Sequence, residues 1–209
     1  TLPGKSSFPE NHPLALGASA VSTSKQTFHF VQKSDVIFGI GCSLTRTNYG
    51  PKIPSGKVIV HSTNEHTDIN KDHRADYAVI GDAKLVLQAI IEEIKMHRNG
   101  DNNISNSTVA AEVQSVKAKW LAEWMPQLTS DEVPINPYRI IWDLMHNVDR
   151  ANTIITHDAG SPRDQIVPFW ETVAPRTYLG WGKSTQLGYG LGITMGAKLA
   201  EPDKLCINI

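Results

Sequence analysis

The chain has 209 residues, 40% of them hydrophobic and 20% charged, with 20 basic and 21 acidic side chains for a formal net charge of −1. That balance fits an ordinary globular chain and leaves no electrostatic footprint for nucleic acid or an anionic membrane surface. No apolar run reaches the roughly 18 to 20 residues of a membrane-spanning helix, and no basic segment followed by an apolar core reads as a signal peptide.

In chain order, Asp35–Ile40 and Lys57–His61 are short continuous apolar runs, which predict strands buried on both faces. Tyr77–Ile80 is a third, closed by Gly81-Asp82. Asp82 is the predicted N-cap of a helix over Ala83–Arg98. Within that helix Leu87, Ile90, Ile91 and Ile94 recur at helical spacing and mark a face predicted to cover a sheet. Strands alternating with helices predict a parallel sheet. The polar stretch Asn99–Thr108 predicts a linker or exposed loop. A helix from about Val109 to Met125 follows, with Pro126 predicted to stop it. On it Trp120 and Trp124 stand four apart as a packing stripe. Asn136-Pro137 reads as the cap and first residue of a helix to about Val148. Thr153–Thr156 is a further buried strand, ending at His157-Asp158-Ala159-Gly160, so a second α/β domain has begun by residue 136.

From Tyr178 onward the chain reads as a glycine-rich turn, a small-residue helix, a Pro-Asp turn and the strand Leu205–Ile209. Gly188, Gly192 and Gly196 recur every four residues, one helical face without side chains. Each such glycine costs roughly 1 kcal/mol relative to alanine. The spacing therefore predicts a close approach to that backbone, by a packed neighbour or by a ligand. It is not the dinucleotide fingerprint, because Ile193 stands where a third glycine is needed. Gly39-x-Gly41 after a strand is compatible with a phosphate-binding turn, but two glycines are more simply explained by the geometry of a small-residue turn. His61, His66 and His73 do not have the spacing of paired metal ligands on one helical face. Trp170 and Trp181 flank the C-terminal turns, where they either line a pocket or bury against the sheet. The two cysteines, Cys42 and Cys206, each sit beside or within an apolar run, which predicts free thiols in a reducing, cytoplasmic compartment and no disulfide.

Two blocks carry a family resemblance. Gly4-Lys-Ser-Ser-Phe-Pro-Glu-Asn-His-Pro13, followed by Leu-Ala-Leu-Gly17, is the first; Asp158-Ala-Gly160 with Thr185-Gln-Leu-Gly-Tyr-Gly190 is the second. With Lys57–Ile94 between them, they resemble the thiamine diphosphate (ThDP) enzymes of the acetolactate synthase, benzoylformate decarboxylase and oxalyl-CoA decarboxylase type, in order along nearly the whole chain. The resemblance implies an α/β fold: a parallel-sheet central domain of Rossmann-like type, followed by an incomplete ThDP-binding α/β domain. It implies a central domain over 1–99, a linker with a helix over 100–135 and the N-terminal part of the diphosphate-binding domain over 136–209.

The function it implies is that of a fragment of a ThDP- and Mg²⁺-dependent enzyme, decarboxylating or ligating a 2-oxo acid or related acyl compound. Its partners would be a small-molecule substrate and further copies of itself, in a homodimer or homotetramer. By position in the family's motif, Leu187 props the bent cofactor, its N–H and the Thr185 carbonyl grip the aminopyrimidine, Gln186 lies between them, and Gly160 and Ser161 meet the diphosphate. The chain departs from the family at Thr185, where most relatives have glycine, and at Ser161-Pro162, where Gln-His is common. Pro162 has no N–H to offer, and Arg163 is a candidate electrostatic replacement. The family's catalytic glutamate belongs before Thr1 and its metal ligands beyond Ile209, so this chain alone is expected to be inactive. FAD or a nucleotide in the central domain is a further implication, although Asn64-Glu65 departs from the acidic turn of relatives. The alternative is a non-catalytic module with the same fold, binding FAD or a nucleotide or serving structure only.

Overall fold

The computed structural model describes residues 1–47, 50, 52–98, 107–181 and 186–209. They form two compact units, one from residues 31–47 and 52–98, the other from residues 1–30, 50, 107–181 and 186–209.

Helix α1 (Lys25–Lys33) leads into the smaller unit. There β1 (Val36–Ile40), β2 (Val58–Thr63) and β3 (Tyr77–Ile80) pair in parallel in the order β1-β2-β3, with Val36 level with Val58 and Val60 level with Tyr77. The predicted cap holds: the Asp82 carboxylate accepts from Lys84 N at 2.9 Å and Leu85 N at 3.1 Å, opening α2 (Ala83–His97). Burial differs from expectation. Val36, Phe38 and Val58 are exposed, β3 is exposed throughout, and no residue of α2 is buried. The physical reason is that the cover on this sheet is thin: α2 packs against β2, and side chains that no helix covers stay exposed, Val58 of the centre strand included. An apolar run reports strand preference, whereas the number of covered faces depends on what packs there.

The larger unit carries α3 (Ser107–Leu128), α4 (Pro137–Asn147), β4 (Thr153–Thr156), α5 (Ser161–Phe169), β5 (Tyr178–Leu179), α6 (Tyr189–Ala200) and β6 (Leu205–Asn208). Its parallel sheet runs β5-β4-β6, and all four residues of β4 are buried. Helix α3 passes through Pro126 into its last turn, with Thr129 N still donating to Met125 O at 3.0 Å. Only one ladder bond is lost so close to a helix end, so the proline is tolerated there. Helix α5 escapes a periodicity reading because it is nine residues long and holds Pro162 and Pro168, the first in the opening turn where proline fits.

The core of this unit is aromatic. Trp120 stacks on Phe169 with centroids 4.8 Å apart and planes 11° apart, and Trp124 and Tyr138 meet the same ring edge-on. That confirms the packing stripe on α3. Leu128, Ile141, Ile155 and Ile166 close around it, each worth about 1.5–3 kcal/mol of burial. Residues 1–30 join this core through Leu2 and through a buried ion pair: Lys5 Nζ donates to both Glu10 oxygens at 2.7 and 2.8 Å. Glu10 in turn accepts from Thr172 N at 2.7 Å and Thr172 Oγ1 at 3.1 Å. With both carboxylate oxygens hydrogen-bonded, the pair survives burial.

Candidate cofactor site

Ligands collect beyond the carboxyl ends of parallel strands, and β4, as the buried centre strand, aims its carboxyl end at His157-Asp158-Ala159-Gly160. Gly160 is the N-cap of α5 with φ 87°, a left-handed conformation for which glycine is suited, and no side chain caps the helix behind it. Ser161 heads the helix and Pro162 has no N–H to add, so what the turn offers a phosphate is the Gly160 and Ser161 amides at the positive end of α5. This is where the sequence placed Gly160 and Ser161.

The second turn, Gln186-Leu187-Gly188, comes to the same place. Gly188 N donates to Asp158 Oδ2 at 2.8 Å and Oδ1 at 3.0 Å, and Asp158 Oδ1 also accepts from Ala159 N at 2.6 Å. The Asp158 amide donates to Ile209 O at 2.7 Å, fastening the end of β6. Leu187 is 76% exposed on this turn, beside an open hollow of about 390 Å³ that Gln186, Gly188 and Tyr189 also line. Thr185 lies outside the described residues.

His157 is fully buried between these turns. Its Nδ1–H donates to Asp158 O at 2.8 Å, while Nε2 is buried without a partner among the described residues. Burial, with the nearby Arg163 cation, holds the imidazole below its usual range. Trp181 stacks on it at 5.6 Å and donates Nε1–H to His157 O at 3.0 Å. Trp170 is a core residue of the same unit, 1% exposed. Arg163 is buried and paired with Asp164 at 2.9 Å, so it is neither solvated nor aimed loosely at the turn.

The glycine stripe resolves unexpectedly. The tight approach is at Gly190, where an added Cβ would lie 2.6 Å from His157 O and collide with the Asn208 side chain. Gly192 and Gly196 have open space around them, and Gly188 is explained by its φ of 84°. In the smaller unit, a Cβ on Gly39 would sit 2.8 Å from Leu44, and Gly41 has φ 59°. The turn's small residues are thereby accounted for by packing and backbone conformation. Glu65 spends its carboxylate locally on Thr67 N at 3.1 Å and Thr67 Oγ1 at 2.9 Å, bonds that hold it below the usual carboxylate range. Among the described residues no group of three His, Cys, Asp or Glu is placed to hold a metal, and both cysteines are free.

The family model for the central domain of thiamine pyrophosphate enzymes matches residues 1–90, and that for their C-terminal TPP-binding domain matches residues 158–209. The chain belongs to the thiamine pyrophosphate enzymes. Thiamine pyrophosphate is the same compound as ThDP, so the resemblance read from the sequence stands, together with its α/β fold class. Curated relatives are similar along the whole chain. One is a probable acetolactate synthase large subunit of Methanococcus aeolicus, 31% identical over 100% of this chain and 36% of the relative. Another, of Methanocaldococcus jannaschii and with the same description, is 32% identical over 100% of this chain and 35% of the relative. The acetolactate synthase isozyme 3 large subunit of Escherichia coli is 24% identical over 100% of this chain and 36% of its own length. The chain therefore spans about a third of the length of these relatives. No helix among the described residues is long and apolar enough to cross a membrane.

Asp158, His157 and Gly190 were not assigned roles from the sequence. The strand-end carboxylate two residues before a left-handed glycine was the available signal for Asp158. Gly190 and His157 carry no such signal, because their importance lies in one backbone contact with each other.

Proposed function

We propose that this chain is part of a ThDP- and Mg²⁺-dependent enzyme that acts on a 2-oxo acid, by decarboxylation or carboligation, in the manner of an acetolactate synthase. The observation that carries the reading is the meeting of two turns at the end of β4: the uncapped start of α5 and the Gln186–Gly188 turn, joined through Asp158. In this reading Gly160 and Ser161 hold the diphosphate, and Leu187 supports the cofactor's bend. Thr185 offers its carbonyl to the aminopyrimidine, with Gln186 beside it. The residues fit the group: the start of α5, with the Gly160 and Ser161 amides, suits a diphosphate, and the exposed Leu187 side chain stands at the adjacent turn. When bound, ThDP supplies a carbanion nucleophile and an electron sink; the protein binds, orients and shields it. Mg²⁺ would be held by the family's ligands, placed by resemblance beyond Ile209. A homodimer or homotetramer in a reducing, cytoplasmic setting completes the proposal, the two free thiols supporting the latter. No nucleotide or FAD is assigned to the Gly39–Gly41 turn, whose glycines are otherwise explained.

The test is calorimetric titration of ThDP with Mg²⁺ into the gene-length protein, with the 209-residue chain as control. Binding at about micromolar Kd or tighter by the gene-length protein, followed by turnover of a 2-oxo acid, is expected. Absence of binding by both would refute the reading.

A further inference from the structure

The Asp158 carboxylate joins two turns that are 30 residues apart in sequence. Helix α6 has Gly188 as its N-cap with no side-chain cap of its own, and Asp158, in the turn after β4, accepts from the Gly188 amide as the N3 carboxylate of a capping box would. The same carboxylate takes Ala159 N, two residues before Ser161, while the Asp158 amide holds Ile209 O. One residue thus fixes the spacing between the start of α5 and the residue next to Leu187.

We infer that Asp158 is a positioning residue. It sets the distance between the turn that takes the diphosphate and the turn that supports the cofactor's bend, so that both ends of ThDP meet preformed sites. The inference rests on the cofactor reading above. Its charge is placed to do this without repelling the diphosphate: the Asp158 oxygens are directed at backbone amides and at the positive end of α6. Both N–H groups are already committed, so Gly188 N and Ala159 N do not serve the cofactor. The donors left to it are those of Gly160 and Ser161 on one side and Leu187 on the other. Preorganisation of this kind raises affinity by removing the ordering cost from the binding step.

Asp158→Ala and Asp158→Asn in the gene-length protein test it, by calorimetric titration with ThDP and Mg²⁺ and by hydrogen exchange at single amides. Asp158→Ala is expected to weaken ThDP binding about tenfold or more, the scale of a hydrogen bond to a charged group, and to speed exchange at the Gly188 amide. Exchange at Ile154 and Ile155 in β4 should stay as in the wild type. Asp158→Asn keeps one carbonyl acceptor and should restore part of both effects. Unchanged affinity in Asp158→Ala, with the wild type binding, overturns this inference alone. So does an equal loss of protection across β4, which would mark a purely structural role. No ThDP binding by the wild type overturns the cofactor reading and this inference together.

Discussion

The two parallel sheets have the same plan and put it to different uses. Each has three strands, and each centre strand carries or leads into a fully buried histidine, His61 in β2 and His157 after β4. Each of these rings donates one N–H to a backbone carbonyl, Cys42 O at 2.7 Å and Asp158 O at 2.8 Å, and leaves its other nitrogen buried without a partner among the described residues. The difference lies in the carboxylate that follows. Glu65 bonds its own turn two residues on, whereas Asp158 reaches a turn 30 residues away. A strand end becomes a site when its polar groups organise a second segment rather than their own.

The largest effect should come from cutting residues 1–30 away from the sheet that holds the site. Glu10→Ala leaves the Lys5 ammonium buried without its partner and Thr172 N without its acceptor. Burial already pulls the Lys5 pKa down against the pull of Glu10. Removal of one member of such a pair is expected to cost about 3–5 kcal/mol. Denaturant unfolding followed by Trp fluorescence measures it, and a loss indistinguishable from zero would mean the pair does not hold this segment.

Paired glycine substitutions sharpen the comparison of the two turns. Gly190→Ala forces a Cβ toward the rigid His157 carbonyl and is expected to destabilise by about 3 kcal/mol, the upper range for overpacking. Gly39→Ala meets the Leu44 side chain, its methyls and branch carbon at 2.8 to 3.0 Å, which can give way more readily than a backbone carbonyl, and should cost about 1 kcal/mol. Equal losses would show that the approach at Gly190 is no tighter than that at Gly39.

The smallest effect is pH-dependent and belongs to His157. Because burial depresses its folded pKa, the unfolded chain takes up this proton first as pH falls below about 6.5. Its contribution is fully present above that value and is lost as pH drops toward the folded pKa. Arg163, Asp158 and Asp164 face the same ring and set the lower end of the window. His157→Gln should therefore show a shallower fall in Tm between about pH 7 and 5 than the wild type. Parallel curves would mean that the ring is already solvated or paired.

Much of this was legible in the sequence. The strand-helix alternation, the Asp82 and Asn136 caps, the Trp120–Trp124 stripe and the motif around Leu187 all depend on residues close together along the chain. Their physics is local: propensity, capping and periodicity operate within a turn or two. Helix α5 was missed because two prolines in nine residues erase its pattern, and α3 ran past Pro126 because a helix end forgives one lost bond. Only the tertiary structure decided that residues 1–30 pack with residues 107–209, through Leu2 and the Lys5–Glu10–Thr172 contacts. It also decided that Gly190, rather than Gly192 or Gly196, bears the close approach, and that Asp158 reaches Gly188. Each of these is a contact between segments distant along the chain, and such contacts exist only once burial has fixed which strand end faces which turn.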